Sequence, residues 1–423
     1  MSARLGMVTS SRMPKRTLAD GDYGTIFETF SHAAAGFGVS ARETLEELVF
    51  SRHAHQVLRL AIEGLRNEDR RVLPGLDSLL DEWASKPESP CWSRPIGQLW
   101  RLTSNPNSHV SKHALVDVGL IGSINGIGGD WGFQLEAPAL FRLDRFLVTN
   151  VLSGQIKRDG LKVYGELRSI FGWVFRFVAH NDAMSGSSIE AEGRYTELPA
   201  NPKVGNSAIV IIPGNLVSSD LLPTYAEASF FELSDFSQSG IALAEALQCL
   251  SEFAPPLRHW VTSVIREVVP IRSLNGELAS SSSPWDCGSV AITVDPRSVA
   301  VAEMLVHEAS HQHFFIAKHL GRIDDGSDCN EYYSPMVRQR RPLEKILLAF
   351  HALGNMALLH ASIINENTIS TEFSRLRMME ISQRLEKVQP VLESSRALTA
   401  LGACLYEPLA DRIARLRRAG LLN

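Results

Sequence analysis

Two histidines four residues apart, with a glutamate directly after the first, form the motif in this sequence that is most suited to chemistry. His307, Glu308 and His311 make an HExxH sequence, and the surrounding stretch, VAEMLVHEASHQHFFIAKHL, contains no helix breaker. Residues four apart lie on one face of an α-helix, so both imidazoles can reach one metal ion. Glu308 then lies close to the open side of the metal, where it can accept a proton from bound water. The spacing therefore predicts a metal centre.

A third protein ligand is expected from the apolar, helical segment that follows the motif. Glu344 and His351 are seven residues apart and thus on one face, whereas His360 is turned away from His351 by about 180°. The residues alone leave Glu344 and His351 as alternatives for this ligand. His313 lies about 200° around the helix from His311, so we expect it to be packed or exposed rather than bound to the same metal.

The order of elements around the motif is typical of a metal-binding helix beside a sheet. A short strand, SVAITVD, leads directly into the motif helix. Further strands are expected at AIVIIPG (208–214) and EASFFEL (227–233), and helices over 240–270 with a break at Pro255 and Pro256. We predict an α+β fold, mostly helical, with a zincin-like C-terminal region in which a small sheet lies beside the HExxH helix.

Three stretches of chain are expected to differ in organisation. Residues 1–20 are predicted to be a flexible tail, 21–200 a mainly helical region of unknown role, and 201–423 the HExxH metal-binding catalytic domain. The cluster GLIGSINGIGGDWG has neither the Lys-Ser/Thr ending of a phosphate loop nor GxGxxG spacing, so it predicts a turn or a tight packing site. For LKVYGELRSIFGWVFRFVAH, periodicity does not decide between helix and strand.

The composition excludes several classes of protein. Of 423 residues, 44% are hydrophobic and 21% charged, with a net charge of −5, which is too mild for a nucleic-acid binder. No continuous apolar run reaches the roughly 18–20 residues of a membrane span, so no membrane partner is expected. The five cysteines are widely spaced and odd in number, which is typical of neither a disulfide framework nor a CxxC metal cage. We expect a reducing, cytoplasmic location.

A longer combination of motifs resembles a known family. HEASH, followed by a variable loop and YYSPMVRQRRPLEKILLAFHALGN, is similar to the HExxH-domain proteins found among enzymes that modify ribosomally made peptides. The similarity covers about residues 205–375, and YYSP…RP…FHA is more specific than HExxH alone. The resemblance implies Fe(II)- and 2-oxoglutarate-dependent β-hydroxylation of residues in a precursor peptide. It also implies His307 and His311 as iron ligands, with His351 as the third.

In this oxygenase interpretation, the distal carboxylate of 2-oxoglutarate needs a cation beside the metal. The candidates lie just before the helix of His351. The cations are Arg341, Arg340 and Arg338, and the possible hydroxyl partners are Tyr332, Tyr333 and Ser334. Glu308 is then not required as a base and can orient the substrate or a ligand.

Two other interpretations stay open. A zinc metallopeptidase would bind zinc through His307, His311 and either Glu344 or His351, with Glu308 activating water for attack on a peptide carbonyl. In either enzyme, the strand SVAITVD is expected to bind an extended peptide by edge pairing. A non-catalytic peptide-binding module is the third possibility, and it would need no intact metal site.

Overall fold

The computed structural model describes twelve stretches of the chain. They are residues 30–32, 73, 75–85, 97, 112–143, 146–182, 186–197, 209–212, 214, 236–272, 278–366 and 371–422. The predicted tail at 1–20 and the predicted strand at 227–233 lie outside the described residues.

An antiparallel sheet dominates the first part of the described chain. Two helices precede it, α1 (Leu76–Ser85) and α2 (Lys112–Ile124). Its strands are β1 (Trp131–Leu143), β2 (Phe146–Asp159), β3 (Lys162–Ser169), β4 (Val174–Asp182), β5 (Gly186–Gly193) and β6 (Thr196–Glu197). The order is β1-β2-β3-β4-β5, and β6 pairs with β2. Helix α2 packs against β1.

Within the described residues, this sheet differs from the expectation of a mainly helical region over residues 21–200. The undecided segment at 161–180 is an antiparallel hairpin, in which Tyr164 pairs with Val178 across β3 and β4. Val163 and Leu167 are buried on one face of β3, whereas Tyr164 is exposed on the other. That alternation is the period-two pattern of a half-buried strand, which is easily missed when apolar residues are frequent on both faces.

The glycine cluster between α2 and β1 is a turn with tight packing, as predicted. Gly128 has a positive φ of 79°. A Cβ atom at this position would lie 2.6 Å from Leu79 of α1. The backbone N–H of Gly128 donates to Glu82 Oε2 at 2.9 Å, so the turn anchors α1 rather than a phosphate.

A second, smaller sheet lies beside the motif helix. It contains β7 (Val210–Ile211), β8 (Glu267–Ile271), β9 (Ser280–Ser282) and β10 (Ser289–Thr293), in the order β7-β8-β10-β9. Strand β10 is parallel to β8 and antiparallel to β9. Helices α3 (Phe236–Phe253) and α4 (Pro255–Val264) are separated at Ala254, which confirms the predicted break at the two prolines.

Four long helices complete the described chain. They are α5 (Ser298–Leu320), which carries HExxH, α6 (Leu343–Asn365), α7 (Thr371–Ser394) and α8 (Ala400–Arg418). A hairpin of β11 (Glu331–Ser334) and β12 (Gln339–Pro342) joins α5 to α6. Strand β10 leads into α5 as predicted, and the described chain is an α+β mixture in which helix exceeds strand.

Helix α6 is the centre of this helical layer. It packs against α5, α7 and α8. By length and composition it could cross a membrane, since its most apolar window has a mean hydropathy of 1.6, but 83% of that window is buried inside the protein. Core helices commonly have this composition when they are covered on all sides, and α6 is covered in this way.

Candidate metal centre

The two motif histidines lie on successive turns of α5 and point to the same place. Their Nε2 atoms are 3.0 Å apart. Two metal ligands with bonds of about 2.1 Å and an angle near 90° are separated by about 3 Å. The sequence spacing and the helix geometry therefore bring His307 and His311 to a separation that suits one ion.

Glu308 adds a carboxylate to this pair in a buried position. Its Oε1 atom is 3.7 Å from Nε2 of His307. The side chain is fully buried, and neither oxygen has a well-formed hydrogen bond to a described residue. Burial raises the pKa of Glu308, while His307 and the hydroxyls of Ser280 and Ser282 act in the opposite direction.

The cluster meets the electrostatic requirement for binding a cation. The ligand atoms of His307, Glu308 and His311 all lie within 4.8 Å of one another. A buried carboxylate with only weak hydrogen bonds is costly unless a cation or a proton compensates its charge. Burial also holds the pKa of His311 well below its usual value, and neighbouring charges add to the effect, so the ring is neutral as a metal ligand must be.

The structure does not bring His351, the expected third ligand, into the cluster. This side chain is fully buried on α6. Its Nδ1 lies 2.9 Å from the carbonyl oxygen of Ser310, and its Nε2 lies 2.7 Å from that of Phe30. Binding a metal would require one nitrogen to leave a backbone carbonyl. His351 thus joins α6 to α5 and to the segment around Phe30.

The alternative ligand, Glu344, is also directed elsewhere. Its Oε1 accepts a hydrogen bond from Lys318 Nζ at 2.7 Å. His313 is packed as predicted, with its ring stacked on Trp260 at a centroid distance of 4.1 Å. Among the residues that the structure describes, the metal-ligating cluster is limited to the three residues of the HExxH motif.

His360, rather than His351, is on the side of α6 that contacts the site. Its Nε2 donates to Glu303 Oε2 at 2.9 Å. Arg377 of α7 also binds Glu303, through Nε at 2.9 Å and through Nη2. Burial alone would raise the pKa of Glu303, but the hydrogen bonds from His360 and Arg377 outweigh it and lower the pKa to about 2. Glu303 lies one turn before His307, and this spacing of four was the sequence signal that could have identified it.

A cavity of about 970 Å³ opens over the cluster. Its walls come from α5, α6, α7, the β11–β12 hairpin and β9. The apolar part of the wall comprises Leu278, Ala279, Met304, Met336, Val337, Leu348, Ala349, Met356 and Phe373. Met356 Sδ lies 3.3 Å from His307 Nδ1, so this side chain borders the metal-binding pair.

The strand at the cavity is β9, which corrects the expectation that SVAITVD offers a free edge. SVAITVD contains β10, which is paired on both sides, with β8 and with β9. Strand β9 ends the sheet within the described part of the chain. Ser280, Ser281 and Ser282 of β9 all line the cavity.

The three candidate arginines occupy different positions relative to the cavity. Arg341 lines the cavity, whereas Arg340 and Arg338 do not. Arg340 Nη2 donates to the carbonyl oxygen of Glu331 at 2.7 Å on the exposed side of the hairpin. Arg338 lies in the hairpin turn with a φ of 53°.

The three residues proposed as hydroxyl partners also differ in their positions relative to the cavity. Ser334 is buried and lines the cavity. Tyr332 instead donates its hydroxyl to Asp328 Oδ2 at 2.7 Å, and Tyr333 is 50% exposed. Strand alternation explains the difference, because Ser334 and Tyr333 are adjacent residues and point to opposite faces of the hairpin.

Of the other cations that line the cavity, two form no ion pair with a described residue, and sequence reasoning missed both. Lys345 is half-buried in the first turn of α6, and Arg384 is half-buried on α7. Burial lowers the pKa of Lys345. Lys345 follows Arg341 by four residues, a spacing that indicates proximity, whereas nothing in the sequence brings Arg384 of α7 to the motif.

No family model matches this chain, and no curated protein matches it. The resemblance to HExxH-domain peptide-modification proteins thus stays a prediction based on the motifs themselves.

Proposed function

We propose that this protein is an Fe(II)- and 2-oxoglutarate-dependent oxygenase that hydroxylates a residue of a ribosomally made peptide. The observation that carries the proposal is the pair of cations, Arg341 and Lys345, in the same cavity as His307 and His311. Neither cation forms an ion pair with a described residue. Two imidazoles with a nearby carboxylate suit both iron oxygenases and zinc hydrolases, so the ligands do not discriminate between them. A requirement for an anionic co-substrate distinguishes the iron oxygenase from the zinc hydrolase.

Each group in the cavity has a distinct role in this proposal. His307 and His311 hold the metal, and Glu308 is the nearest described carboxylate. When bound, Fe(II) supplies the activation of O₂ that oxidative decarboxylation of 2-oxoglutarate requires. Arg341, together with Lys345, binds the distal carboxylate of the co-substrate through charge-assisted hydrogen bonds. Met356 and the other apolar wall residues exclude water from the reacting carbon.

A peptide substrate is supported by the strand at the cavity wall. Strand β9 is the last strand of the small sheet within the described chain, and it borders the cavity. An extended peptide can add to such an edge through main-chain hydrogen bonds, while its alternate side chains enter the cavity. The region that resembles a zincin would then be this small sheet together with α5 and α6.

A zinc peptidase is the second candidate, and one observation favours it. Glu308 is buried beside His307 with a raised pKa. A carboxylate with a raised pKa is suited to accept the proton of a metal-bound water. Zinc on His307 and His311, with Glu308 as general base, would then cleave a peptide bond.

The test begins with metal analysis of anaerobically purified protein. We expect iron to bind and 2-oxoglutarate to be converted to succinate without any peptide, since uncoupled turnover does not require the substrate. Protein without metal affinity would instead be a peptide-binding module. Zinc-dependent cleavage of casein with no succinate formation would favour the peptidase.

Glu308→Gln discriminates between the two enzymes at the same site. In the peptidase, loss of the general base should lower turnover by roughly 10² to 10⁴. In the oxygenase, we expect Fe(II)-dependent succinate formation to remain measurable. The metal content of the variant is measured in parallel, so that loss of the ion is not mistaken for loss of a base. Casein cleavage that disappears in Glu308→Gln would contradict the oxygenase.

A further inference from the structure

The charged side chains that line the cavity do not balance one another. Arg297 binds Asp295, and Arg377 binds both Glu303 and Glu380. Three cations are then left without an ion pair to any residue in the described ranges. They are Arg341, Lys345 and Arg384.

Two of these three cations lie together near the metal-binding pair. Lys345 follows Arg341 by four residues, and both side chains line the cavity together with His307 and His311. Arg341 pairs with Tyr332 near the base of the β11–β12 hairpin, whereas Arg384 contacts Met336 in the turn of that hairpin, so the two arginines lie towards opposite ends of it.

Arg384 ends a stripe of α7 side chains along the cavity wall. Phe373, Arg377, Glu380 and Arg384 follow one another at spacings of four, three and four residues, so they share one face of the helix. Nη1 of Arg384 lies 3.5 Å from Met336 Sδ, and a thioether is a weak acceptor. The guanidinium is half-buried, and the described residues provide it with no stronger acceptor, although it carries five donors.

Neither of the two carboxylates of 2-oxoglutarate is available to bind Arg384. One carboxylate belongs beside the 2-oxo group at the metal, and the other is bound by Arg341 and Lys345. We propose that Arg384 binds a carboxylate of the peptide substrate, so that the enzyme selects acidic peptides. This inference rests on the proposed function in two respects, namely that the substrate is a peptide and that 2-oxoglutarate occupies Arg341 and Lys345.

The proposal is tested by peptide binding to the metal-free, full-length protein. The probes are mixtures of hexapeptides with an uncharged fluorophore and an amidated C-terminus. They are degenerate except for a fixed Glu, Gln or Lys at the third position. Fluorescence polarisation should show that the Glu mixture binds roughly tenfold more tightly than the Gln mixture, as a charge-assisted contact implies. A Gln mixture with a free C-terminal carboxylate shows whether Arg384 binds the carboxylate of a chain terminus as tightly as that of a side chain.

Variants of Arg384 assign the preference to this residue. We expect Arg384→Gln to abolish the difference between the Glu and Gln mixtures, and Arg384→Glu to favour the Lys mixture. The matched control is Arg375→Gln, which removes an exposed arginine of the same helix and should keep the wild-type preference. Equal binding of all mixtures to the wild type, or equal effects of Arg384→Gln and Arg375→Gln, would overturn the proposal.

Titration with 2-oxoglutarate separates this subsite from that of the co-substrate. Arg384→Gln should leave 2-oxoglutarate affinity unchanged, whereas Arg341→Ala should weaken it. A similar loss in both variants would place Arg384 in the co-substrate subsite and overturn the inference. Because peptide binding is measured without metal or turnover, failure to form succinate would count against the oxygenase alone.

Discussion

Two concave regions of this protein carry arginines and glutamates, but only one of them also contains arginines that form no ion pair with a described residue. A groove of about 670 Å³ lies on the exposed face of the β1–β6 sheet. Within it, Glu166 accepts hydrogen bonds from Arg168 at 2.8 Å and from Arg176 at 2.9 Å. Arg176 also reaches Glu192 at 3.3 Å. In the cavity over HExxH, by contrast, Arg341, Lys345 and Arg384 form no ion pair with a described residue.

The difference follows from how each region is built. Strand register places Glu166 opposite Arg176, and Arg176 opposite Glu192, so the charges of the groove neutralise one another across the sheet. Hydrogen bonds from Arg176 and Arg168 lower the pKa of Glu166, whereas burial raises the pKa of Glu308. Paired charges at the surface serve the fold, while unmatched charges in a cavity indicate a ligand of opposite charge.

The largest effect is expected from removing the metal-binding pair. His307→Ala and His311→Ala should each abolish stoichiometric metal binding, because each leaves a single imidazole of the metal-binding pair. Metal content by mass spectrometry and the circular dichroism spectrum would show loss of the ion without loss of the fold. His259→Ala, which removes an exposed histidine of α4, should retain the metal. Stoichiometric metal in either site variant would show that α5 does not carry the centre.

Glu303 allows a test of a carboxylate that is buried in the cavity wall but paired. Glu303→Ala should lower the free energy of unfolding by about 3–5 kcal/mol, since it leaves Arg377 and His360 without their buried partner. Urea unfolding at pH 7 measures this. Glu380→Gln, which removes the exposed partner of Arg377, should cost far less. Equal losses would mean that burial of the pair contributes little.

The pH dependence of the Glu303 contribution has a definite sign. The pKa of Glu303 is about 2 in the folded protein and near 4.3 in an unfolded chain. The ionised carboxylate therefore stabilises the fold fully above about pH 4.5, and this contribution is lost as the pH falls towards 2. The stability difference between wild type and Glu303→Gln should shrink over the same interval. A difference that stays constant down to pH 2 would show that the ion pair is not its source.

Arg341 tests whether the unpaired cations bind the co-substrate. Arg341→Ala should cost about 1.5–3 kcal/mol of 2-oxoglutarate binding, which is roughly a 10- to 100-fold loss of affinity. Calorimetric titration measures it. Arg340→Ala is the matched control, because that side chain points to the exposed side of the hairpin and should bind the co-substrate normally. An unchanged affinity in Arg341→Ala would transfer the role to Lys345.

Local spacing made part of this site predictable. His307 and His311 are brought together by one turn of one helix, and Glu303 and Lys345 lie at the same spacing of four from His307 and Arg341. Local spacing does not determine which of His351 and His360 lies towards the site. The sequence indicated that they face opposite ways, but packing of α6 against α5 decides which face meets the site. Arg384 is contributed by a helix about seventy residues after the motif, so only the tertiary fold reveals it.

The smallest effect is expected in the sheet groove. Glu166→Gln removes the acceptor shared by Arg168 and Arg176, but both arginine side chains are more than half exposed, so water and salt replace the lost contacts. We expect the midpoint of urea unfolding to stay within error of the wild type, and metal and 2-oxoglutarate binding to be unchanged. Raising the salt concentration should remove any residual difference. A loss of stability that persists in high salt would mean that the groove, like Glu303 in the cavity wall, is stabilised by specific contacts between its charges.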